Sequence, residues 1–386
     1  MRRHTRQRRL PDRVAALAVC LTAATWLVAP GPTLASGGCP ITVLEDGDST
    51  IFPALQDAQS DFQSTFGCSL TIAPEGSGIG INSLLAGSLN VAASSRPLQS
   101  VTETNGLIAW PVAGDAMVIA VRADSAMDFV DQIDMAQVKA IYEGSITSWN
   151  QLKPTYPART LVPRSRTVWS GSYSDLITKF GVDPALEAAT VQATGLPRTF
   201  TSYDQASAAC SFDDQIVYTS LANLKTWGPE GAGCLKALAL APGGTTGFVM
   251  PSVATVLNAT YPAPRQLFLA LRKFAVIGTA ATTDDSANVK AQDLVNYFLS
   301  PAGQAHLSNV GFANQSLQPG QALPDFDVNL DGAVGLADLG NVTGRWNQSS
   351  ACPGWIRADV NNDGAVGLPD IGRVTAKWGQ VGFVAP

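Results

Sequence analysis

Between Ile41 and about Gln315, short runs of β-branched and apolar residues alternate with segments that carry a helical pattern. The stretch ITVLEDGDST predicts a strand and then a loop in which the hydroxyls of Ser49 and Thr50 cap the next helix. Apolar residues follow at the spacing of one helix face, namely Phe52, Leu55, Ala58, Phe62 and Phe66. This alternation predicts an α/β layered fold.

The same plan recurs and divides the chain into two lobes. CSLTIAPEGSG predicts a strand and a glycine loop before a helix, and LNVAASSRPL predicts a third strand that ends in a serine pair. The alternation restarts with AMVIAVRA, Asp134 and Gln137 form a capping box before a helix, and RTLVPRSRTVWSGSYSDLITKF predicts a strand, a polar loop and a helix. We expect lobe 1 at about 40–110 and 242–315, and lobe 2 at about 111–241.

The first 35 residues depart from this pattern. Six arginines lie within Met1–Arg13, Val14–Ala29 is an apolar run of 16 residues without a charge, and Thr33-Leu34-Ala35 offers small residues for cleavage. These features predict a signal peptide at 1–35 and therefore an exported protein, either periplasmic or at the cell surface or outside it. A transmembrane anchor is the alternative, although 16 apolar residues are short for a span.

Charge and cysteine content argue against nucleic-acid binding and against a Cys-x-x-Cys metal or redox site. Loss of the leader moves the formal net charge from −6 to about −11, which argues against nucleic acid as a partner. Export permits disulfides, and no cysteine spacing matches a C-x-x-C metal or redox motif. The local pairings would be Cys39–Cys68 and Cys210–Cys234, which leaves Cys352 unpaired.

Histidine is scarce in this chain. After removal of the leader only His306 is left, in a helical segment where it is expected at the surface or in packing. The chain therefore lacks a histidine that could act as the base of a Ser-His-Asp triad or activate a cysteine. We expect a binding protein rather than an enzyme.

The C-terminal part has a different composition and contains a repeat. A linker rich in proline, glutamine and glycine at 316–324 precedes a segment at 325–380. Within it, DVNLDGAVGLADLGNVTGRW and DVNNDGAVGLPDIGRVTAKW agree at 14 of 20 positions, with an offset of 32 residues. Agreement of this extent indicates an internal duplication.

Each copy places oxygen ligands at positions 1, 3, 5, 7 and 12 of a loop with glycine at position 6, the pattern of an EF-hand calcium loop. The first set is Asp327, Asn329, Asp331, the carbonyl of Ala333, and Asp338, and the second is Asp359, Asn361, Asp363, the carbonyl of Ala365, and Asp370. Because closely packed oxygens repel one another without a cation, we expect two Ca²⁺ ions as cofactors. The alternative is a pair of Asp/Asn/Gly turns in a solvated tail.

The glycine loop PEGSGIGINSLLAGS, at 74–88, matches neither nucleotide-binding fingerprint. Its glycines are two apart, so they do not form Gly-x-Gly-x-x-Gly, and no Gly-Lys-Ser/Thr follows. Unpaired amides at a helix start can nevertheless bind an anion without any lysine. Serines precede helices at several points, and Arg166 lies four residues before the triplet Ser170-Gly171-Ser172. If the lobes face each other, these groups can converge on one oxyanion.

Seven motifs in order, from residue 41 to about 315, resemble those of the phosphate-binding protein of bacterial ABC phosphate transporters. They are GDSTIFPAL, EGSGIGINSLLAGSLNVAASSRPL, KAIYEGSITSWNQL, RTVWSGS, IVYTSL, YPAPRQLFLAL and FLSPAGQAHLSNVGF. The resemblance implies a two-lobed type II periplasmic-binding-protein fold at 36–315, with a hinge and closure on dehydrated phosphate, in a monomer.

The resemblance also implies a set of phosphate-binding residues: Ser49, Thr50, the amide of Ile51, Ser77, Ser95, Arg166, Ser170, Gly171 and Ser172. Two positions depart from the family. Some members have an aspartate in place of Ser95 to accept the proton of hydrogen phosphate, and Val168 stands where an aspartate often supports the arginine. Selectivity for phosphate over sulfate or arsenate is therefore left open. Arg96 and Arg265 are either further ligands or surface and supporting residues.

The duplicated calcium loop, with a single helix after each copy, resembles the type I dockerin module of secreted multi-enzyme complexes. This implies a small all-α calcium-binding domain at 325–380 and a cohesin-like partner. Hydroxyl residues often contact the partner at loop positions 10 and 11, but here those positions hold Leu336/Ala337 and Leu368/Pro369.

Two functions follow from these patterns. The first is an exported receptor that captures inorganic phosphate for an ABC permease and docks through its tail. The second is a component of a cell-surface complex whose lobes are a retained scaffold and whose tail provides calcium-dependent adhesion.

Overall fold

The computed structural model describes residues 41–227, 234–243, 246–273, 283–315, 317, 320–350 and 356–382. The predicted signal peptide, Cys39 and Cys352 lie outside the described residues. Among the described residues, no helix combines the length and the apolar character that a membrane span requires.

Strands and helices alternate through most of the chain, so the α/β prediction is confirmed. The strands are β1 (Thr42–Gly47), β2 (Ser69–Ala73), β3 (Val91–Ser94), β4 (Leu107–Arg122), β5 (Gln132–Asp134), β6 (Val162–Pro163), β7 (Gln215–Ser220), β8 (Leu235–Ala237), β9 (Ala239–Ala241), β10 (Pro264–Arg272) and β11 (Ala313–Asn314). The helices are α1 (Phe52–Phe66), α2 (Ser77–Leu85), α3 (Val101–Gly106), α4 (Met135–Tyr142), α5 (Gly171–Lys179), α6 (Pro184–Thr194), α7 (Ser202–Ser211), α8 (Leu221–Trp227), α9 (Val253–Leu257), α10 (Thr283–Leu299), α11 (Pro301–Val310), α12 (Leu336–Gly344) and α13 (Leu368–Thr375).

One sheet runs through both lobes in the order β2-β1-β3-β10-β4-β7-β6, and β8 and β11 also pair with β4. In lobe 1, β1 lies parallel to β2 and β3, with Leu44 opposite Thr71 and Glu45 opposite Val91. β10 then runs antiparallel to both β3 and β4. The parallel strands therefore end at the same edge of the sheet, where their loops meet.

Strand β4 belongs to both lobes. Residues 107–116 pair with β10, and residues 117–121 pair with β7. Each half of the strand has its own apolar core, the first around Phe62, Leu269 and Phe298 and the second around Ile119, Trp149 and Tyr218. Val256, Tyr261 and Ala263 pack in the second core, although the sequence placed this segment in lobe 1.

The ends of the helices test the predicted caps. Asp134 and Gln137 form the predicted capping box at α4. The prediction for Ser49 and Thr50 is wrong, because α1 begins after Ile51 and its N-cap has no side-chain hydrogen bond. The hydroxyl of Ser49 instead meets lobe 2, as described below.

The two predicted disulfides have different outcomes. Cys210 and Cys234 are bonded, with 5.3 Å between their Cα atoms, so this prediction is confirmed. Cys68 is a free thiol, so the predicted Cys39–Cys68 bridge is wrong. The side chain of Cys68 is part of the core of lobe 1, and burial raises its pKa to about 11.

The tail contains one helix after each repeat loop, α12 and α13. Valines from both repeats form a separate small core: Val334, Val342, Val366 and Val374. The two copies therefore pack as one unit, which is the arrangement a duplicated segment needs in order to bury its apolar face.

Candidate functional site

The predicted anion-binding residues of lobe 1 lie together at the carboxyl ends of β1, β2 and β3. Ser49 and Thr50 follow β1, Ser77 is the first residue of α2, and Ser95 comes directly after β3. All four are buried. A switch of direction in an open α/β sheet creates a crevice at such an edge, and that is where ligands usually bind.

A carboxylate that the sequence analysis did not single out lies among these hydroxyls. Asp48 Oδ2 accepts hydrogen bonds from the hydroxyl of Ser77, at 2.7 Å, and from that of Ser95, and Asp48 Oδ1 accepts from the amide of Thr50 at 2.5 Å. Burial acts to raise the pKa of Asp48, but the charge of Arg265 and these hydrogen bonds outweigh it, so the pKa is lowered. The group is an ionised acceptor inside a predicted anion site.

Lobe 2 contributes Arg166, which is 2 % exposed. Its Nη2 donates to Ser49 Oγ at 2.9 Å and to the carbonyl of Phe200 at 3.0 Å, and its Nη1 donates to Ser202 Oγ at 2.7 Å. The backbone around it is fixed, because its amide donates to the hydroxyl of Tyr218 at 2.8 Å. Arg166 therefore links the loop after β1 to lobe 2.

Burial lowers the pKa of Arg166, against the opposing effects of Tyr218 and Asp48. A guanidinium stays charged in proteins even with a lowered pKa. Arg166 thus remains a full positive charge at the lobe interface.

The start of α5 lies directly against lobe 1. Ser170 is the N-cap of α5 and Gly171 its first residue. A Cβ atom added at Gly171 would lie 2.5 Å from Ser77 Oγ and 3.1 Å from Asp48 Oδ2, so only glycine allows this approach. Nearby, the amide of Gly78 donates to the carbonyl of Trp169 at 2.9 Å. The surfaces that carry Ser77 and Ser170 therefore face each other, and the cleft is closed.

Arg265 is buried at the same lobe interface, so it is not a surface residue. Its contacts are with side chains of the protein. Its Nε donates to Asp115 at 2.7 Å, and its Nη1 donates to the hydroxyl of Ser172 at 2.8 Å. Burial acts to lower the pKa of Arg265, but Asp115, Asp175 and Asp48 raise it overall. Burial in turn raises the pKa of Asp175 to about 6, despite its ion pair with Arg265.

Three buried donors in this region have no hydrogen-bond partner among the described residues: Thr50 Oγ1, Arg166 Nε and Arg265 Nη2. Buried polar groups are normally paired, because an unsatisfied donor costs about 1–3 kcal/mol. A pocket of about 470 Å³ is lined by Arg265, one of these three residues, together with Ser95, Asp175 and Lys179. The arrangement can accept a small oxyanion that brings several acceptor oxygens.

The other candidates occupy different places. Ile51 is buried at the start of α1, next to Thr50. Arg96 pairs with Glu103 at 2.9 Å, and Val168 is 55 % exposed. Sequence reasoning did not predict Asp48 or Ser202, and the available signal was weak. Asp48 directly precedes the serine and threonine of GDST, and Ser202 begins a helix.

The predicted calcium-loop residues form the same hydrogen bonds in both copies. Asp327 accepts from the amides of Asp331 and Gly332 at 3.1 and 2.9 Å, and Asp359 accepts from those of Asp363 and Gly364 at 3.1 and 2.8 Å. The position-12 aspartates act alike: Asp338 accepts from Asn329 and Gly335, and Asp370 from Asn361 and Gly367.

Gly332 and Gly364 have φ angles of 103° and 90°, so position 6 of each loop requires glycine. The donor set is all oxygen, as Ca²⁺ prefers. Within the part of the chain that the structure describes, no group of three or more His, Cys, Asp or Glu side chains is arranged to hold a metal. The calcium sites therefore stay a prediction.

Comparison with protein families shows that residues 33–302 match the PBP superfamily domain. SphX of Synechococcus elongatus is 26 % identical over 287 residues, which cover 70 % of this chain and 76 % of SphX. The phosphate-binding protein PstS of Staphylococcus aureus is 27 % identical over 135 residues, which cover 33 % of this chain and 41 % of PstS.

Solved structures show the same fold. A putative phosphate ABC transporter substrate-binding protein with bound phosphate, from Clostridium perfringens, has a TM-score of 0.59 at 19 % identity and covers 71 % of this chain and 100 % of its own. An ABC-type phosphate transport receptor from Vibrio cholerae has a TM-score of 0.52 at 15 % identity, with coverage of 71 % and 100 %. The family match ends before the tail, so the dockerin-like assignment stays a prediction.

Proposed function

This chain belongs to the PBP superfamily, and we propose that it is an exported receptor that closes its two lobes on inorganic phosphate and delivers it to an ABC permease. The observation that carries the proposal is the buried approach of Gly171, at the start of α5, to Ser77 and Asp48, together with the hydrogen bond from Arg166 to Ser49 across the same lobe interface. Phosphate is the anion we propose, because relatives of this chain are named as phosphate-binding proteins.

The proposed binding mechanism uses fixed dipoles and one full countercharge. α2 and α5 begin at Ser77 and Gly171, and the first amides of a helix have no partner within the helix and carry the positive end of its dipole. Arg166 adds a guanidinium, and the hydroxyl of Thr50, which has no partner among the described residues, adds a further donor. Because the site is closed to water, each of these interactions is stronger than it would be at a surface.

Asp48 makes the site selective for a protonated oxyanion. An ionised carboxylate can only accept hydrogen bonds, so it attracts an anion that carries a proton and repels one that has none. Hydrogen phosphate has a proton to donate at neutral pH, whereas sulfate has none. The group that would accept the proton of hydrogen phosphate is thus Asp48, in the loop after β1. Ser95, in the loop after β3, donates its hydroxyl hydrogen to Asp48. We infer selection of phosphate over sulfate, with arsenate not discriminated.

The test is calorimetric titration of the chain that begins after the leader. Phosphate should bind with micromolar or tighter affinity, and a large excess of sulfate should not compete. If neither phosphate nor sulfate binds, the receptor role is wrong. The second function, adhesion through the tail with the lobes as a scaffold, would then be the better explanation.

We also propose that the tail binds two Ca²⁺ ions and docks on a cohesin-like partner. Asp327, Asn329, Asp331, the Ala333 carbonyl and Asp338 would hold one ion, and Asp359, Asn361, Asp363, the Ala365 carbonyl and Asp370 the other. The bound cations would neutralise the clustered oxygens and so order both loops. Leu336 and Leu368 are 76 % and 72 % exposed, so the surface offered to a partner is apolar where the resemblance led us to expect hydroxyls.

A further inference from the structure

The two repeats differ at loop position 4, which has the same unusual backbone conformation in both. Leu330 has a φ of 55° and Asn362 a φ of 57°. Asparagine tolerates this left-handed region, but a bulky residue there is an outlier that costs free energy. The first repeat therefore carries a leucine that its own loop disfavours.

The side chain of Leu330 is completely buried, whereas Asn362 is exposed. Leu330 does not join the small core of the tail. It belongs to the core of lobe 1, in the cluster that contains Ile108 and Trp110 of β4. Burial of a leucine in a foreign core offsets the cost of its backbone conformation.

Three further contacts join the same surfaces. Trp110 Nε1 donates to the carbonyl of Ala322 at 3.2 Å, and Asn296 of α10 donates to Asp325 at 3.2 Å. Gly382 lies close to β4, because an added Cβ would be 2.6 Å from Ile108 Cδ1 and 3.5 Å from Trp110 Cζ2. The contact thus involves the linker at Ala322, the start and first loop of the tail, and Gly382 just after the tail.

We propose that the first repeat is specialised to dock on lobe 1 of its own chain, so that order in the first loop and order in the lobe 1 half of β4 depend on each other. Leu330 is the anchor of this interface, and Trp110 and Gly382 shape the surface around it. The second repeat, with the ordinary asparagine at position 4, carries no such anchor. This inference concerns the tail and lobe 1 and does not depend on which anion the cleft binds.

The test is hydrogen–deuterium exchange on the full exported chain with Leu330→Asn, which installs the residue that the second repeat uses. The matched control is Leu336→Asn, the same substitution at an exposed leucine of the same repeat. Leu330→Asn should speed exchange about tenfold or more at 107–111 and at 320–334, because a buried anchor is lost. The control should match the unsubstituted chain, and phosphate affinity should change less than about twofold in both.

Equal protection in the two variants would overturn the proposal. A second variant keeps the test decisive if Leu330→Asn does not accumulate as a folded protein. Gly382→Phe leaves Leu330 in place but adds a ring where a Cβ alone would be 2.6 Å from Ile108 and 3.5 Å from Trp110, so it should separate the two surfaces and speed exchange at the same two segments. Unchanged exchange in this variant would likewise show that the tail is not docked.

Discussion

The carboxylate of Asp48 lies 2.7 Å from the hydroxyl of Ser77, at the point of lobe 1 that the first residue of α5 approaches. An ionised carboxylate would repel a bound anion unless that anion carries a proton that it can donate to the carboxylate. We therefore expect the selectivity of the cleft to depend on Asp48.

Asp48→Asn should therefore lower the preference for phosphate over sulfate by about tenfold or more, because the repulsion of an unprotonated anion disappears and a charge-assisted bond is lost. Competition calorimetry at pH 7 measures the ratio. Asp46→Asn is the control, since Asp46 lies in β1 two residues before Asp48 but accepts from the amide of Glu75 at 3.1 Å. Unaltered selectivity in Asp48→Asn would remove the carboxylate from the recognition of the ligand.

Arg166→Ala should weaken phosphate binding by about a hundredfold or more, because it removes a buried countercharge together with the donors that join Ser49 to Ser202. Arg159→Ala is the matched control in the same lobe. Arg159 pairs with Asp213 at 2.8 Å, and its side chain is 33 % exposed. Similar affinities in the two variants would place the anion elsewhere.

Gly171→Ala should reduce phosphate affinity about tenfold or more, because the added methyl group would stand 2.5 Å from Ser77 Oγ and keep the lobes apart. Small-angle scattering should show that phosphate no longer compacts the chain. Gly344→Ala in α12 meets open space and should behave like the unsubstituted protein. Full compaction of Gly171→Ala by phosphate would show that the lobes do not close at this contact.

The pKa of Asp175, raised to about 6 by burial, makes the fold sensitive to pH. An acid that binds its proton more tightly in the folded state stabilises the fold below its ordinary pKa of 3.8, and this contribution is lost as the pH rises through about 6. Between pH 4 and pH 7 the chain should lose up to about 3 kcal/mol of unfolding free energy relative to Asp175→Asn.

Denaturant unfolding at several pH values measures this difference. Asp128→Asn is the control, because it is the same substitution at a side chain that is 75 % exposed. A difference between the unsubstituted chain and Asp175→Asn that stays constant with pH would contradict the assignment.

Calcium titration should give two ions per chain, and Asp338→Ala or Asp370→Ala should leave one, because each change removes the position-12 ligand of one loop. Calorimetry measures the stoichiometry. Asp61→Ala, in α1 with a side chain that is 64 % exposed, is the control and should keep both ions. A chain that binds no Ca²⁺ at all would contradict the proposed function of the tail.

Local patterns in the sequence were sufficient for most elements of the fold. The spacing of Phe52, Leu55 and Phe62 predicted α1, and the box at Asp134 predicted the start of α4, because both depend on residues within a few positions. The error at Ser49 has a long-range cause. Its hydroxyl bonds with Arg166, 117 positions away, and no local pattern reports that competition.

The site was predictable only in part for the same reason. The serines before helices indicated which loops could bind an anion, and the resemblance supplied Arg166. Asp48 was missed, because its role depends on two hydroxyls from other loops, 29 and 47 positions along the chain. The contact of Leu330 with lobe 1 could not be predicted from the sequence either, because the residues that bury it belong to the core of another domain.

Strand β4 has a mechanical consequence for the receptor. Its residues 107–116 pair in one lobe and 117–121 in the other, so a single uninterrupted ribbon of backbone links the two halves. A continuous strand that is hydrogen-bonded in both lobes can twist and bend, but its two halves cannot separate. We therefore expect the lobes to open by a rotation that bends or twists β4. The tail packs against this strand at Ile108 and Trp110, in the half that belongs to lobe 1, so a change in the position of the tail acts on the strand that links the lobes.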